Sequence, residues 1–337
     1  MVAAPGEDVR MTENAHERVP AALQRLAASV AAPEALTVPG LRQRFGDSQG
    51  VEVAVGQLWR ACWDDVAVLA LLVDVQAAAV MVAPVTMDPP GEDENSLILD
   101  AKSTVLGQPM TVWGGLARAV PLRVLDQLLD VVADEIVVWC QHIRAGRPAA
   151  VPGGARTGDR ISSPLEPAAE VRAQLEDELD LLAAASWLPA MDLAAERRSL
   201  RQLLGCDRDE QALRLLVATL GVSLPEAVEI VRGRRPLALA QAEALAPVTG
   251  QPVEVLLASV EPLPEELAAE LDHPRWRPAV RRRTHRASGN EHRTRLEIAY
   301  GTYALAARQT GAANRPSWRE RLARYLEAEG GQQESGL

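Results

Sequence analysis

Arginine is the side chain through which this sequence could most readily do chemistry. Lys102 is the only lysine among 35 basic residues. A guanidinium presents five N–H donors in a rigid fork that matches phosphate oxygens two at a time. The arginines that draw attention fall into three groups. Arg197, Arg198 and Arg201 come first, then Arg232, Arg234 and Arg235. Arg281, Arg282 and Arg283 lie inside HPRWRPAVRRRTHRASGNEHRTR (273–295), a run with eight arginines, three histidines, one acid and an interleaved Trp276. That run suits phosphate contact, or neutralisation of the acidic segment 170–180 in the same chain or a dimer mate. The net charge of −11 argues against a protein generally coated in nucleic acid, so binding would need a local basic patch.

Other reactive residues are sparse. Cys62, Cys140 and Cys206 lie far apart with no CxxC spacing and read as idle or buried thiols. Cys140 and His142 stand at i and i+2, positions that point apart on one helix, so they make no nucleophile–base pair. His285 and His292 have no HExxH-type spacing, and no phosphate-cradling glycine loop or GxSxG elbow occurs. No cofactor, no metal and no enzymatic activity are therefore expected. Without a run of 18 apolar residues or an export-type apolar core, a cytoplasmic protein with no membrane partner is expected.

The elements that must position the arginines centre on LGVSLPEAVEIVRGRRP (220–236). Gly221 suits the left-handed end of a helix, and Ser223 is expected to cap the next one. Pro225 fits an early helical position, and Glu226 sits three residues after the cap. Val228 and Val231, or Ala227 and Ile230, supply the apolar face; Gly233 stops the helix and Arg234, Arg235 and Pro236 exit from it. Around this stretch, helices are expected over 193–204, 209–221, 223–233, 237–250 and 252–259.

The chain divides at AGRPAAVPGGARTGDRISSPLEP (145–167), read as a linker. Ahead of it, 1–45 is an arm with one amphipathic helix over His16–Ala32, and 46–144 is β-rich. Strands are expected at 56–63, 66–75, 77–87, 96–100 and 108–115, with a tight hairpin at Asp64-Asp65 and a helix over Pro121–Val132. Five short strands and a helix suggest a small curved barrel. Behind the linker, 168–260 holds an acidic helix whose Val171, Leu175, Leu179 and Leu182 stripe reads as a packing or dimer seam, followed by the five helices. The tail, 261–337, is Arg-rich and closes with helices over 296–311 and 317–329, with Tyr300 and Tyr303 as core or seam residues. The fold class is thus multidomain α+β.

Five helices with the LGVS turn, the GRRP exit and Thr249-Gly250 before PVEVLLA resemble the Xre-type, lambda-repressor-like helix-turn-helix family over 193–259. The resemblance implies DNA binding. The exposed positions of its recognition helix carry over to Ser223, Pro225, Glu226 and Glu229, which are poor in cations, so contacts are expected mainly from flanking arginines to the phosphate backbone. Residues 51–132 resemble the MazF/PemK toxins, with their SH3-like barrel, through Gly56–Trp59, VMVAPVT (80–86) and a terminal helix after VW. That family cleaves RNA with an arginine near the second strand and a Ser or Thr after the V-x-P strand. Thr86 stands at the hydroxyl position, but VAVLALLVDV offers no arginine; only Arg60 or Arg118 could replace it in space. What this resemblance implies is a barrel that has lost the ribonuclease and kept an interface.

The expected function is a DNA-binding transcription regulator, dimeric, with a partner- or ligand-binding front domain, in a toxin–antitoxin or phage-defence setting. One alternative is a MazF-like ribonuclease fused to a regulatory module. The other is an interaction scaffold that contacts protein alone.

Overall fold

The computed structural model describes residues 34–46, 51–87, 91–185, 198–260, 263–287, 290–308 and 317–334. The helix expected over 16–32 lies outside them, as does Arg197. Among the described residues the chain is mixed α+β, with eight strands in one antiparallel sheet and twelve α-helices.

A short helix α1 (Val38–Phe45) leads in, capped by Thr37, whose hydroxyl accepts from the Gly40 N–H at 3.2 Å. Arg44 ties it to the sheet by donating to the Leu129 carbonyl at 2.8 Å and pairing with Asp130 at 2.5 Å. Strands β1 (Gln57–Trp63) and β2 (Val66–Val75) then form the expected hairpin, pairing Trp63 with Val66 across Asp64-Asp65. Asp64 takes a positive φ of 48°, which a two-residue hairpin turn demands and Asp tolerates.

The remaining strands are β3 (Ala79–Thr86), β4 (Ser96–Leu99), β5 (Met110–Trp113), β6 (Arg118–Pro121), β7 (Leu125–Val131) and β8 (Ala155–Thr157). Their order is β7-β1-β2-β3-β5-β4-β8, with β6 paired to the first half of β3 and β5 to its end. Sharing β3 between two partners bends the sheet, which does not close. Helix α2 (Asp134–Arg144) covers one face, burying Ile136, Trp139 and Cys140 against Leu58, Leu71, Val85 and Leu97. Helix α3 (Pro167–Ala183) covers the other, burying Leu175, Leu179 and Leu182 against Trp59, Ala70, Val82 and Trp113. Because both faces are covered, β2 reads as a continuous apolar run rather than an alternating one.

Two expectations for this half need correction. Pro121–Val132 is no helix: a 3-10 turn over Leu122–Val124 feeds β7 directly. Two register shifts against β1 leave Asp126 and Leu129 out of the pairing, so the buried Leu125 and Leu128 stand three residues apart. Bulges gave a strand the spacing of a helix. The 145–167 stretch is more than a linker, since β8 within it pairs with β4 and extends the sheet. Of the two readings of the α3 leucine stripe, the packing seam is the one found, against the sheet of its own chain.

Helices α4 (Leu200–Leu203), α5 (Asp209–Leu220), α6 (Leu224–Val231), α7 (Leu239–Thr249) and α8 (Val253–Leu257) lie within the five expected spans, the first covering four residues of 193–204, of which 193–197 lie outside the described residues, and share a core of Leu203, Leu216, Ile230, Leu245 and Leu256. Helices α9 (Glu265–Asp272), α10 (Arg277–Ala287), α11 (Glu291–Arg308) and α12 (Trp318–Glu334) build another core on Leu267, Leu271, Val280, Ile298, Tyr300 and Leu322. Tyr300 is buried and Tyr303 packs beside it.

Arginines join this last unit to the sheet. Arg123, from the turn before β7, is fully buried and donates to Asp272 at 2.6 Å. Arg277 reaches into the sheet, donating to the Val124 and Cys62 carbonyls at 2.5 Å each. Arg281 pairs with Asp126 at 2.6 Å. The bulge that leaves Asp126 unpaired in β7 frees its carboxylate to meet Arg60 as well, whose Nε lies at 2.8 Å. Arg295 is buried, donating to the Leu271 carbonyl at 2.6 Å and to Glu291 at 2.9 Å.

Candidate nucleic-acid interface

At the α5–α6 junction Gly221 adopts φ 64° and returns its N–H to the Val217 carbonyl at 3.1 Å, the left-handed helix end that a residue without Cβ enters freely. Ser223 is the N-cap of α6 with extended backbone, but its side chain makes no capping bond. Nor does Glu226 close a capping box; it pairs with Arg235 at 3.0 Å. Ala227, Ile230 and Val231 are the buried face of α6, so both proposed apolar pairs contribute, with Val228 half-buried. Past Gly233 the exit loop folds back on its helix, the N–H groups of Arg234 and Arg235 donating to the Glu229 carbonyl at 2.9 and 3.1 Å.

The outward surface of this unit carries Ser223, Leu224 and Pro225 at the start of α6, with Leu224 60% exposed. Glu229 is half-buried, and Arg232 is exposed. Arg198 is exposed near α4, and Arg201 pairs with Asp209 at 3.3 Å across exposed surface, an interaction that leaves a guanidinium available.

The Arg-rich run divides by direction. Arg275, Arg277 and Arg295 point inward. Arg281 is committed to Asp126 and also lies 3.7 Å from Glu291, so it is a joint residue rather than a surface contact. Arg282, His285 and Arg286 are exposed on α10, one face at helical spacing. Arg283 lies 3.7 Å from Glu297. The acidic helix α3 is neutralised elsewhere, by Arg172 to Glu176 and by Arg118 to Asp180. The sequence could not show this division, because each inward or outward choice follows from where α10 and α11 pack.

A cleft of about 480 Å³ opens where the exit loop meets the C-terminal helices. Arg234 and Arg235 line one wall and Arg283 and Arg293 another, with Glu229 and Glu297 between them. Sequence reading did not find it; Arg293 and Tyr325 are brought there by tertiary packing alone.

Thr86 ends β3, and its hydroxyl accepts from the buried Trp113 indole at 2.9 Å. Neither substitute cation reaches it. Arg118 pairs across from Val82, four residues back along β3, roughly 13 Å by strand rise. Arg60 lies on β1 with Asp126. Cys140 is sealed in the core, where burial pushes its thiol up to about 12, while His142 meets the Pro148 carbonyl at 3.2 Å, so the two do not form a pair. Among the described residues no three His, Cys, Asp or Glu side chains converge as a metal would require, and no helix is long and apolar enough to cross a membrane. Comparison with the profiles of known protein families and with curated proteins gives no match.

Proposed function

We propose that the chain is a DNA-binding regulator in which α5, the Gly221 turn and α6 act as a helix-turn-helix. The observation that carries this reading is the α5–α6 junction itself, a left-handed Gly221 between two short helices on one core, with arginines clustered where α6 ends. Arg198, Arg201, Arg232 and Arg235 hold backbone phosphates, joined by Arg282 and Arg286 on α10. The start of α6 offers Ser223 as its one side-chain donor to base edges, beside Leu224 and Pro225, so affinity comes from the backbone and sequence discrimination is shallow.

A gel-shift series across salt with the DNA upstream of its own gene tests this. Binding weakens steeply as salt rises, and Arg232→Ala lowers the slope of log K against log salt by about 1 without changing sequence preference. No complex at low salt removes the reading. One observation favours a protein-interaction role instead: Leu224 and Val217 are 60% and 37% exposed, which suits an apolar contact better than a groove. Under that role Leu224→Asp abolishes capture of a protein partner and Arg232→Ala does not.

A further inference from the structure

The run 273–295 carries more arginine than a helix-turn-helix at α6 calls for, and part of it lies against the sheet. On α10, Arg277, Arg281 and His285 follow one another every four residues, so they share one stripe of the helix. The surroundings of that stripe change along its length. The side chain of Arg277 is 1% exposed and that of Arg281 37%, whereas His285 is exposed, as are Arg282 and Arg286 on the adjoining stripe.

The sheet covers the inner part of the stripe with polar groups. The Val124 and Cys62 carbonyls accept from Arg277 at 2.5 Å each. Asp126 accepts from Arg281 at 2.6 Å and lies 3.9 Å from Arg277, and Arg281 also reaches the Cys62 thiol at 3.2 Å. Arg275, just ahead of α10, lies 3.6 Å from Glu52. The buried Arg123–Asp272 pair crosses the same joint.

Each side keeps an apolar core of its own, the sheet on Trp59, Val124 and Leu128 and the C-terminal helices on Leu267, Val280 and Leu322. Parting two apolar faces would forfeit their burial, but guanidiniums and carboxylates that leave together for water regain hydration. A polar joint between two units of one chain is therefore one that can open. Carboxylate and phosphate both match the fork of a guanidinium, so Asp126 holds a place that a phosphate would fill. Arg277 to Arg286 rise about 14 Å along α10, and a DNA strand offers one phosphate per roughly 3.4 Å of axis, so the uncovered stripes reach several phosphates.

We infer that the sheet is an internal cover for a duplex-binding face of α10, and that DNA competes with Asp126 and Glu52 for Arg275, Arg277 and Arg281, lifting the C-terminal helices off the sheet. This rests on the reading that the chain binds DNA, and adds a covered state to it.

Cys62, 7% exposed at the joint, reports opening in the original chain without any substitution. At low salt, a short duplex should raise the rate of Cys62 alkylation by iodoacetamide severalfold, while Cys140, sealed in the sheet core, stays unlabelled. A Cys62 rate unchanged or slowed with duplex bound overturns the inference and leaves the DNA reading standing. No complex at low salt removes that reading and the inference with it. Asp126→Asn takes away the carboxylate beside Arg277 and Arg281. It should tighten duplex binding about tenfold and steepen the slope of log K against log salt by about 2, one for each arginine released. Asp65→Asn, at an exposed acid of the β1–β2 hairpin, changes neither quantity. Adding Arg277→Gln and Arg281→Gln to Asp126→Asn returns both to the original values. A tighter complex with an unchanged slope overturns the inference, since loss of one repelling charge then accounts for it, and so does a gain that survives the two arginine substitutions.

Discussion

At the scale of single residues, the most demanding pair is Arg123 with Asp272. Both are buried, and burial pushes the Asp272 carboxyl up while the Arg123 and Arg295 charges oppose that rise. Burial likewise lowers Arg123, against the pull of Asp272. An arginine keeps its proton in a protein, so the Arg123 charge is permanent and Asp272 is the carboxyl set against it. Their link is 2.6 Å long, and one oxygen, Asp272 Oδ1, is buried without a hydrogen-bond partner. Asp272→Asn would take the Asp272 carboxylate away from the Arg123 charge and cost about 3–5 kcal/mol in urea unfolding. Replacing both members with apolar residues, Arg123→Met with Asp272→Leu, should recover much of that loss, because no buried charge is then left unpaired. Equal losses in single and double variants would show that packing, not charge, makes this contact.

At the scale of elements, α3 shows how a correct residue pattern leaves its partner open. Its leucine stripe was legible; that the stripe meets Trp59, Val82 and Trp113 rather than a second chain was not, because periodicity gives a face and not what covers it. Leu179→Ala should therefore destabilise the monomer by about 2–5 kcal/mol, read by denaturant unfolding, with no change in oligomeric state by light scattering. Dissociation of a dimer without loss of stability would return the stripe to the seam role. The helices α4–α8 were the most legible part, since Gly221, Gly233 and Gly250 mark their ends through local backbone chemistry. Strand β7 was the least legible. Its spacing mimicked a helix because Asp126 and Leu129 bulge out of the pairing, and a bulge is fixed by the neighbouring strand rather than by local sequence. Strand β8 hides for a related reason: three residues of an edge strand in a Gly- and Pro-rich stretch leave no pattern, and only β4 beside them makes the strand. For the candidate interface, the arginines themselves were visible from the start, but which of them face inward depends on the docking of α10 and α11.

At the scale of the whole molecule, the sheet and the C-terminal helices are held together through buried cations, and His292 lies among them. Burial, reinforced by the nearby charges of Arg123 and Arg295, brings its imidazole down to about 4, and Nδ1 is buried with no hydrogen-bond partner. The folded protein thus holds this ring neutral, whereas the unfolded ring titrates near the ordinary value of about 6.5. The folded-state value lies below the unfolded one, so between them the unfolded state binds more protons and stability rises with pH. The full contribution is present above pH 6.5 and is lost as the pH falls toward 4, roughly 2 kcal/mol of it by pH 5. His273, lowered to about 4 by burial and by Arg275 and Arg319, acts in the same direction. Asp272 acts in the opposite one, because a carboxyl raised on folding binds protons more readily in the folded state. Only a comparison with a variant isolates the histidine. In His292→Gln, urea unfolding measured from pH 7 to 5 should show a flatter fall than the original chain, by about the same 2 kcal/mol. Parallel curves would mean that His292 titrates alike in the folded and unfolded chains, and that its place beside Arg123 and Arg295 leaves its protonation free.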